Sequence, residues 1–315
     1  MLVLESTRSV VEASAHVRID DAAIETWAKS LRPGALAPTG HELFDHLPGN
    51  RAEIANLVLL IDALNFCFWS PEPIHIEWRG KRYERFNAMF VSLMLTAKSD
   101  PRWFIPEFWL EVSTDEIRQV LSGRGELLML DERERIIRET ARVLIDRFDG
   151  QFTSAISSVN ERAWPLAVLL MTNFESFRDV SGYKGRPVYF LKRAQICVLD
   201  LSSVLERKDH GPLEGLSELT AFADYRVPQA LEHLGILKYS PELAEMIDRE
   251  EEIPAGSEAE IEIRAATIHS VDRMVKAVGR VGKRSTAWEI DWYLWGLSHE
   301  SSVTAKHHRT RTIYY

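Results

Sequence analysis

The spacing of apolar residues in GSEAEIEIRAATIHSVDRMVKAVGR, residues 256–280, constrains the fold of this 315-residue chain more than any other feature. Steps of three and four residues separate the apolar members of its main stripe, which are Ile261, Ala265, Ile268, Val271, Val275 and Val278. That spacing puts them on one face of an α-helix, and such a face must be buried against other elements. Ser257 and Glu260 form a capping-box pattern at its start. The segment therefore predicts a long helix that contributes one side of a core.

Similar helix signals recur along the chain. The segment DERERIIRETARVLIDRF, residues 131–148, begins with acids, carries an apolar stripe and stops just before Gly150. Ser113 and Glu116 repeat the capping-box pattern, and Ser240 precedes a proline that suits the first helical position. Helix is therefore the dominant expectation.

One segment has a different period. Residues 74–85, IHIEWRGKRYER, alternate apolar and polar side chains around Arg79-Gly80-Lys81, which predicts a small β-hairpin. The sequence has no internal repeat, no low-complexity tract and no long flexible linker. We therefore expect an all-α fold with a minor β-hairpin, arranged as a single helical domain over residues 1–315.

The charge balance narrows the function. The chain has 38 Lys and Arg against 47 Asp and Glu, a net charge of −9. An acidic surface repels a phosphate backbone, so direct nucleic-acid binding is not expected. A small phosphorylated ligand stays compatible with this charge because it needs only a local basic pocket.

The cysteines and the apolar segments indicate a cytoplasmic protein with no membrane partner. Cys67 and Cys197 each lie in an apolar stretch, as buried thiols do in a reducing compartment. The amino terminus MLVLESTRSVVEASAH is charged too early and too often for a secretory signal. The most apolar stretch, residues 54–69, is interrupted by polar residues and is too short to span a bilayer.

The motifs of several enzyme classes are missing. HExxH, CxxC and EF-hand patterns do not occur, so no metal site is expected. GxGxxG, GxxxxGK[ST] and GxSxG are also missing, which disfavours Rossmann, P-loop and simple serine-hydrolase sites and leaves no cofactor to expect. The remaining candidates are acidic residues embedded in apolar or aromatic sequence.

Asp224, in ELTAFADYRVPQALEHLG, is the first of these acids and is flanked by Phe222 and Tyr225. Pro228 disfavours helical geometry in the residue before it, so we expect a helix to restart at Pro228 and Asp224 to lie at a helix junction. A carboxylate among aromatic rings suits stabilising, or attacking, an oxocarbenium-like cation. An Asp that accepts backbone N–H bonds at the junction explains the same pattern. Taken alone, this segment favours the structural role.

Asp291, in TAWEIDWYLWGLSHE, is the second acid. Helical spacing places it near one face with Trp288, Trp292 and Trp295. An acid on an aromatic face can bind the guanidine-like edge of a flat base while a ring stacks on the base. An interfacial helix with a solvated acid is the commoner alternative. Glu289 points elsewhere, and we expect it to be exposed.

The other candidates are weaker. The cluster NFCFWS, residues 65–70, favours core packing at a helix end, and a lone His41 near a predicted helix start favours a structural role. The run KGRPVYFLKRAQ is typical of solvated surface unless the fold brings it near Asp224. Its basic residues are Lys184, Arg186, Lys192 and Arg193.

Six segments taken in order are more specific than any of them alone. NFCFWS, KRAQ, ADYRVPQALEHLG, EIRAATI, IDWYLW and HRTRTIYY resemble the queuosine salvage family (queuosine 5′-phosphate N-glycosylase/hydrolase), from about His41 to the last Tyr. The resemblance implies an all-helical fold similar to helix-hairpin-helix DNA glycosylases. It also implies an enzyme that cleaves queuosine 5′-phosphate into queuine and ribose 5-phosphate, without a metal or redox cofactor.

The resemblance also implies site residues. It makes Asp224 the catalytic carboxylate and associates Phe222, His41 and Asp291 with the queuine pocket. The aromatic helix after Asp291 belongs to the same pocket, through Trp292, Tyr293 and Trp295. Trp292 departs from the family, in which we expect many members to carry Tyr, so the ring that touches the base stays open. For the 5′-phosphate, Lys192 and Arg186 are the cations that we expect.

The chemistry of the leaving group favours action on the sugar. Queuine is a 7-deazaguanine and lacks the ring nitrogen that purine glycosylases protonate, so stabilisation of positive charge at the anomeric carbon matters more. Two alternatives remain: a non-catalytic queuine- or tRNA-binding protein, and a DNA-base glycosylase on the same scaffold. The acidic charge disfavours both.

Overall fold

Helices dominate the structure, a computed structural model that describes residues 2–32, 34–36, 42–121 and 123–315. The α-helices in these ranges are α1 Leu2–Ala13, α2 Asp21–Ser30, α3 Arg51–Ala63, α4 Arg85–Ser99, α5 Pro106–Trp109, α6 Thr114–Leu121, α7 Leu130–Phe148, α8 Phe152–Ser158, α9 Ala163–Asn173, α10 Lys192–Arg207, α11 Arg226–His233, α12 Pro241–Asp248, α13 Glu258–Arg280 and α14 Ala287–Leu297. The predicted helices at residues 131–148 and after Ser257 are confirmed as α7 and α13. The mostly helical class expected from the periodicity is therefore correct.

Three two-stranded antiparallel ladders accompany the helices in the described ranges. Their strands are β1 Val17–Ile19 with β6 Leu237–Tyr239, β2 His75–Trp78 with β3 Lys81–Glu84, and β4 Val180–Tyr183 with β5 Arg186–Tyr189. The predicted hairpin is confirmed by β2 and β3. Its turn residues Arg79 and Gly80 have φ values of 51° and 75°, the left-handed geometry that tight hairpins need. The other two ladders were not predicted.

The predicted capping boxes differ in outcome. Before α6, Glu116 accepts from the Ser113 N–H at 2.8 Å, and Ser113 Oγ accepts from the Glu116 N–H at 3.2 Å, so this box is confirmed. Before α13, Ser257 Oγ accepts from the Glu260 N–H at 3.4 Å. The Glu260 carboxylate instead accepts from the Gly256 N–H at 3.1 Å and the Tyr315 hydroxyl at 3.0 Å. The second box is only half formed because Glu260 is buried and has other partners.

Two long helices organise the packing. Helix α13 contacts α1, α2, α11 and α14, while α10 contacts α3 and α9. Both helices have far more buried residues than one stripe, so they lie inside the core rather than on its surface.

Two buried arginines fix the segment that follows α3. Arg133 donates to the carbonyls of Leu64 and Phe66, and Arg193 donates to the carbonyl of Ala63. The two guanidinium carbons lie 4.2 and 5.2 Å from the centre of the Phe66 ring. The core-packing interpretation is therefore confirmed for Phe66.

The predicted burial of the two thiols is confirmed. Cys67 and Cys197 are free and buried. Within the described ranges, no helix combines the length and the apolar character that a membrane span requires.

Candidate active site

A cavity of about 600 Å³ lies where α10, α11 and α14 meet the β2–β3 hairpin. Aromatic side chains form much of its wall: Phe68, Tyr83, Phe86, Phe222, Tyr225, Trp292, Trp295 and Tyr315. The carboxyl-bearing lining residues are Glu42, Glu84, Asp200, Asp224 and Asp291. Four of its cations, Lys81, Arg82, Arg85 and Arg226, are called the basic rim below, and Lys192 lies apart from them. Flat apolar walls with charges of both signs suit a flat ligand that has an anionic part.

Asp224 lies at the start of α11. Its Oδ1 accepts from the N–H groups of Arg226 at 2.7 Å and Val227 at 3.0 Å. The helix begins at Arg226, so the prediction that it restarts at Pro228 is wrong by two residues. Pro228 is tolerated inside the first turn because the N–H that it lacks would have no partner within the helix there.

The two roles considered for Asp224 from the sequence are compatible. One carboxylate oxygen caps the helix, while the side chain, 9% exposed, also lines the cavity. Capping fixes the orientation of the carboxylate, and the helix N-terminus favours its negative charge. Asp224 is therefore a carboxyl group of fixed orientation at the cavity wall.

Asp291 lies on α14, deeper than Asp224. It is 3% exposed, and its Oδ1 accepts from the Phe222 N–H at 2.8 Å. Burial, and secondarily the charge of Asp224, raise the pKa of Asp291 well above its ordinary range. A carboxyl that keeps its proton can donate a hydrogen bond into the cavity, while its other contact positions Phe222.

Lys192 is the first residue of α10 and is 4% exposed. Burial lowers the pKa of its amine, whereas the charges of Asp224, Asp62 and Asp291 raise it. Asp200 also interacts with Lys192. We call Asp62, Asp200, Asp224 and Asp291 the carboxyl cluster. Because the Lys192 amine interacts with four carboxyl groups, it is poorly placed to receive a phosphate.

The aromatic residues of α14 divide between cavity and core. Trp292 and Trp295 line the cavity, and Trp288 meets Trp292 edge-on with ring centres 5.4 Å apart. Tyr293 does not line the cavity; its ring packs 5.9 Å from that of Trp27. The geometry therefore brings Trp292 and Trp295, but not Tyr293, to a ligand in the cavity.

Glu289, expected to be exposed, has a different role. Its carboxylate accepts from the N–H and the hydroxyl of Thr286 at 2.7 and 2.8 Å, which completes a capping box for α14. The expectation was wrong because Thr286 and Glu289 have the spacing of a capping box, which draws the Glu289 carboxylate to the helix N-terminus.

The basic rim was not predicted, and one predicted cation lies elsewhere. Arg186 is exposed at the start of β5 and does not line the cavity. Arg85 and Arg226 do line it, although they belong to α4 and α11. Burial lowers the pKa of Arg226, and the like charge of Arg85 acts in the same direction. Arg226 directly follows the segment FADY, a position that could have drawn attention to it.

The two weaker candidates from the sequence are His41 and the segment NFCFWS, residues 65–70. His41 lies outside the described residues, although its neighbour Glu42 lines the cavity. In NFCFWS, Asn65 and Phe68 reach the cavity, so that segment serves the site as well as the core.

Among the described residues, one group has the spacing of a metal site. Ligand atoms of His16, Glu258 and Glu262 lie within 4.8 Å of one another. Glu262 already accepts from the Ser14 hydroxyl at 2.7 Å and the Tyr183 hydroxyl at 2.8 Å. These bonds explain the cluster as a structural attachment to α13, away from the cavity lining.

The chain is similar to known proteins along almost its whole length. A family described as queuosine salvage protein matches residues 46–315. A Sphaerobacter thermophilus protein named queuosine 5′-phosphate N-glycosylase/hydrolase is 41% identical over 314 residues, covering 99% of this chain and 97% of that protein. Proteins of the same name from Dictyostelium discoideum and Bos taurus are 36% and 32% identical, covering 100% and 99% of this chain and 98% of each relative. These matches include the elements that carry Asp224, Asp291 and the basic rim.

Proposed function

The chain belongs to the queuosine salvage protein family, and we propose that it hydrolyses the N-glycosidic bond of queuosine 5′-phosphate. The products are queuine, for salvage into tRNA modification, and ribose 5-phosphate. The observation that carries this proposal is the position of Asp224, a carboxylate oriented by a helix N-terminus at the wall of an aromatic cavity. The names of the relatives supply the substrate.

Asp224 acts on the sugar. As the C1′–N9 bond breaks, its electrons move to the base and positive charge develops at C1′. A fixed carboxylate beside C1′ stabilises that charge, or adds to the carbon, more strongly than water does because it needs no reorientation. Water then adds its oxygen to C1′ and gives up a proton, and the departing base takes up a proton. The charge of Asp224 interacts with Lys192, which lines the same cavity.

The base lies against the aromatic wall. Trp292 and Trp295 offer ring faces to a flat deazaguanine, and Phe222 is fixed next to them by Asp291. Asp291, with its raised pKa, can donate a hydrogen bond to an acceptor on the base. His41 and Tyr293 stay in the proposal through the family resemblance alone.

The 5′-phosphate is bound by the basic rim. Arg85 and Arg226 both line the cavity, and they are close enough for the charge of Arg85 to lower the pKa of Arg226. Asp224 lies two residues before Arg226 in the sequence. A dianionic phosphate between two arginines relieves their repulsion and forms charge-assisted hydrogen bonds. The exposed position of Arg186 and the acidic surroundings of Lys192 make both less suitable for the phosphate.

Three further proposals concern the domain organisation, the scaffold and the location of the enzyme. We place residues 1–315 in one domain with a scaffold similar to helix-hairpin-helix DNA glycosylases, acting in the cytoplasm on a free nucleotide. The net charge of −9 supports a small-molecule partner over tRNA or DNA.

Incubation with queuosine 5′-phosphate, followed by mass spectrometry for queuine, tests the function. We expect queuine release, faster from the nucleotide than from the nucleoside queuosine. Queuosine-containing tRNA and lesion-bearing duplex DNA serve as the competing substrates. Base release from either polymer, with none from the nucleotide, would contradict the proposal.

A further inference from the structure

Helix α10 presents one face to the cavity, with a charged residue at each end and an apolar residue between them. Lys192, Ile196 and Asp200 follow one another at four-residue intervals, and all three line the cavity. Eight residues of α-helix correspond to about 12 Å along the helix axis. Asp200 therefore lies about two turns from the Lys192 end of the helix, where Asp224 acts.

Asp200 has unmet bonding capacity. It is 2% exposed, and in the part of the chain that the structure describes its buried Oδ1 has no hydrogen-bond partner. Asp62, at the end of α3, is fully buried and has an Oδ2 in the same condition, although its Oδ1 accepts from Asn65 Nδ2 at 3.2 Å. Buried carboxyl oxygens without partners are costly and are uncommon in regions that serve only the fold.

Within the described residues, no cation forms a hydrogen bond with the two unpartnered oxygens of this pair. Lys192 is shared with Asp224 and Asp291, and its amine forms no hydrogen bond with either unpartnered oxygen. Burial, followed by the charge of Asp62, raises the pKa of Asp200 well above its ordinary range. A cationic ligand placed against the pair would lower that pKa and donate a charge-assisted hydrogen bond to a carboxylate oxygen.

We infer that Asp200, supported by Asp62, forms a subsite for the secondary ammonium group on the arm of the substrate base. This inference rests on the proposed function, because queuine carries a cyclopentene-diol arm on an amine that is cationic at neutral pH. The deazaguanine ring lies against the aromatic wall, and its arm extends along α10 past Ile196 to Asp200. The subsite makes the enzyme selective for queuine over an unsubstituted 7-deazaguanine.

The test compares the binding of two bases by calorimetry. Queuine has the ammonium arm, and 7-deazaguanine has the same ring without it. We expect the wild-type protein to prefer queuine, and Asp200→Asn to weaken queuine binding roughly 10- to 100-fold with little effect on 7-deazaguanine. Asp200→Ala should lose the same preference. Glu232→Gln, which removes a partly buried carboxyl on α11 outside the cavity lining, is the control and should keep the preference.

The outcomes separate the subsite from the function. A folded Asp200→Asn protein that keeps the wild-type preference overturns the subsite, and so does a wild-type protein that binds both bases equally. Thermal unfolding shows whether the variants fold; Asp200→Asn should be at least as stable as wild type because it removes an unpaired buried acid. If the nucleotide assay shows queuine release but the calorimetry shows no preference for queuine over 7-deazaguanine, only the subsite fails. If no release occurs, the proposed function fails independently.

Discussion

Two groups of buried charge lie close together in this protein, and they are satisfied to different degrees. Arg264 on α13 donates to both oxygens of Asp179, at 2.9 and 2.6 Å, and to the Ala223 carbonyl at 3.1 Å. Glu260 lies 3.5 Å from the same guanidinium, and the ring centre of Phe190 lies 4.0 Å from it. We call this group the Arg264 cluster. Each of its charges has a partner at short range.

The carboxyl cluster contrasts with it. One lysine faces four carboxyl groups, and within the described ranges one buried oxygen of Asp62 and one of Asp200 have no hydrogen-bond partner. A complete set of partners stabilises one arrangement of the chain, whereas an incomplete set leaves charge available to a ligand. The difference supports the proposal that the carboxyl cluster serves the reaction, whereas the Arg264 cluster stabilises the fold.

The two clusters also share backbone. Arg264 binds the carbonyl of Ala223, next to Asp224, and Asp179 accepts from the Lys192 N–H at 3.0 Å. The Arg264 cluster thereby positions Asp224, which belongs to the carboxyl cluster, and Lys192, the lysine that this cluster surrounds.

Asp224→Asn gives the largest expected effect. Queuine release should fall on the order of 1,000-fold because the charge beside C1′ is lost. The amide oxygen can still cap α11, so the melting temperature should stay close to that of wild type. Single-turnover release and differential scanning calorimetry measure the two quantities. Activity within a few-fold of wild type would assign the reaction to another group.

Arg264→Met should affect stability most. It leaves Asp179 and Glu260 buried without their cation, which we expect to cost about 3–5 kcal/mol of unfolding free energy, measured by urea denaturation. Arg273→Met on the same helix is the control, because its pair with Asp21 at 3.0 Å is partly exposed. That variant should lose no more than about 1 kcal/mol. Equal losses in both variants would remove the distinction between the clusters.

Arg226→Gln should separate the nucleotide from the nucleoside. Loss of one charge-assisted bond to phosphate should raise the KM for queuosine 5′-phosphate about 10- to 100-fold and leave that for queuosine unchanged. Steady-state kinetics with both substrates measure the effect, and Arg186→Gln provides the control without a change. A matching rise for both substrates would show that Arg226 does not bind the phosphate.

Asp62→Asn should have a smaller, pH-dependent effect on stability. Burial raises the pKa of Asp62 to about 7, above the value near 3.9 of an unfolded chain. Its contribution to stability is therefore complete below pH ~4 and is lost as the pH rises through 7. The variant should melt about 2 °C or more above wild type at pH 8, with a smaller difference at pH 4. A difference independent of pH would show that Asp62 does not titrate in this range.

The parts of the fold that depend on local signals were predictable. The apolar stripe after Ser257 and the Arg79-Gly80 turn each contain the information for their own element, so α13 and the β2–β3 hairpin could be predicted. The pairing of β1 with β6 could not, because each strand has three residues and most of the chain separates them. Strands this short have no distinct alternation.

The site divides in the same way. Asp224 and Asp291 were identifiable because each lies within an aromatic segment of its own. Arg85 and Arg226 line the cavity and Arg186 does not. This could not be predicted from the sequence, because the tertiary fold determines which basic residues reach the cavity. Tyr293 shares a helix with Trp292, and a rotation of about 100° per residue is enough to point it into the core instead.

The binding of free queuine to the Asp224→Asn protein tests most directly whether Asp224 acts on the sugar rather than on the base. Queuine has no sugar, so its dissociation constant should stay within a few-fold of the wild-type value while turnover of queuosine 5′-phosphate collapses. A loss of queuine affinity as large as the loss of turnover would contradict the account, because it would make Asp224 a ligand of the base.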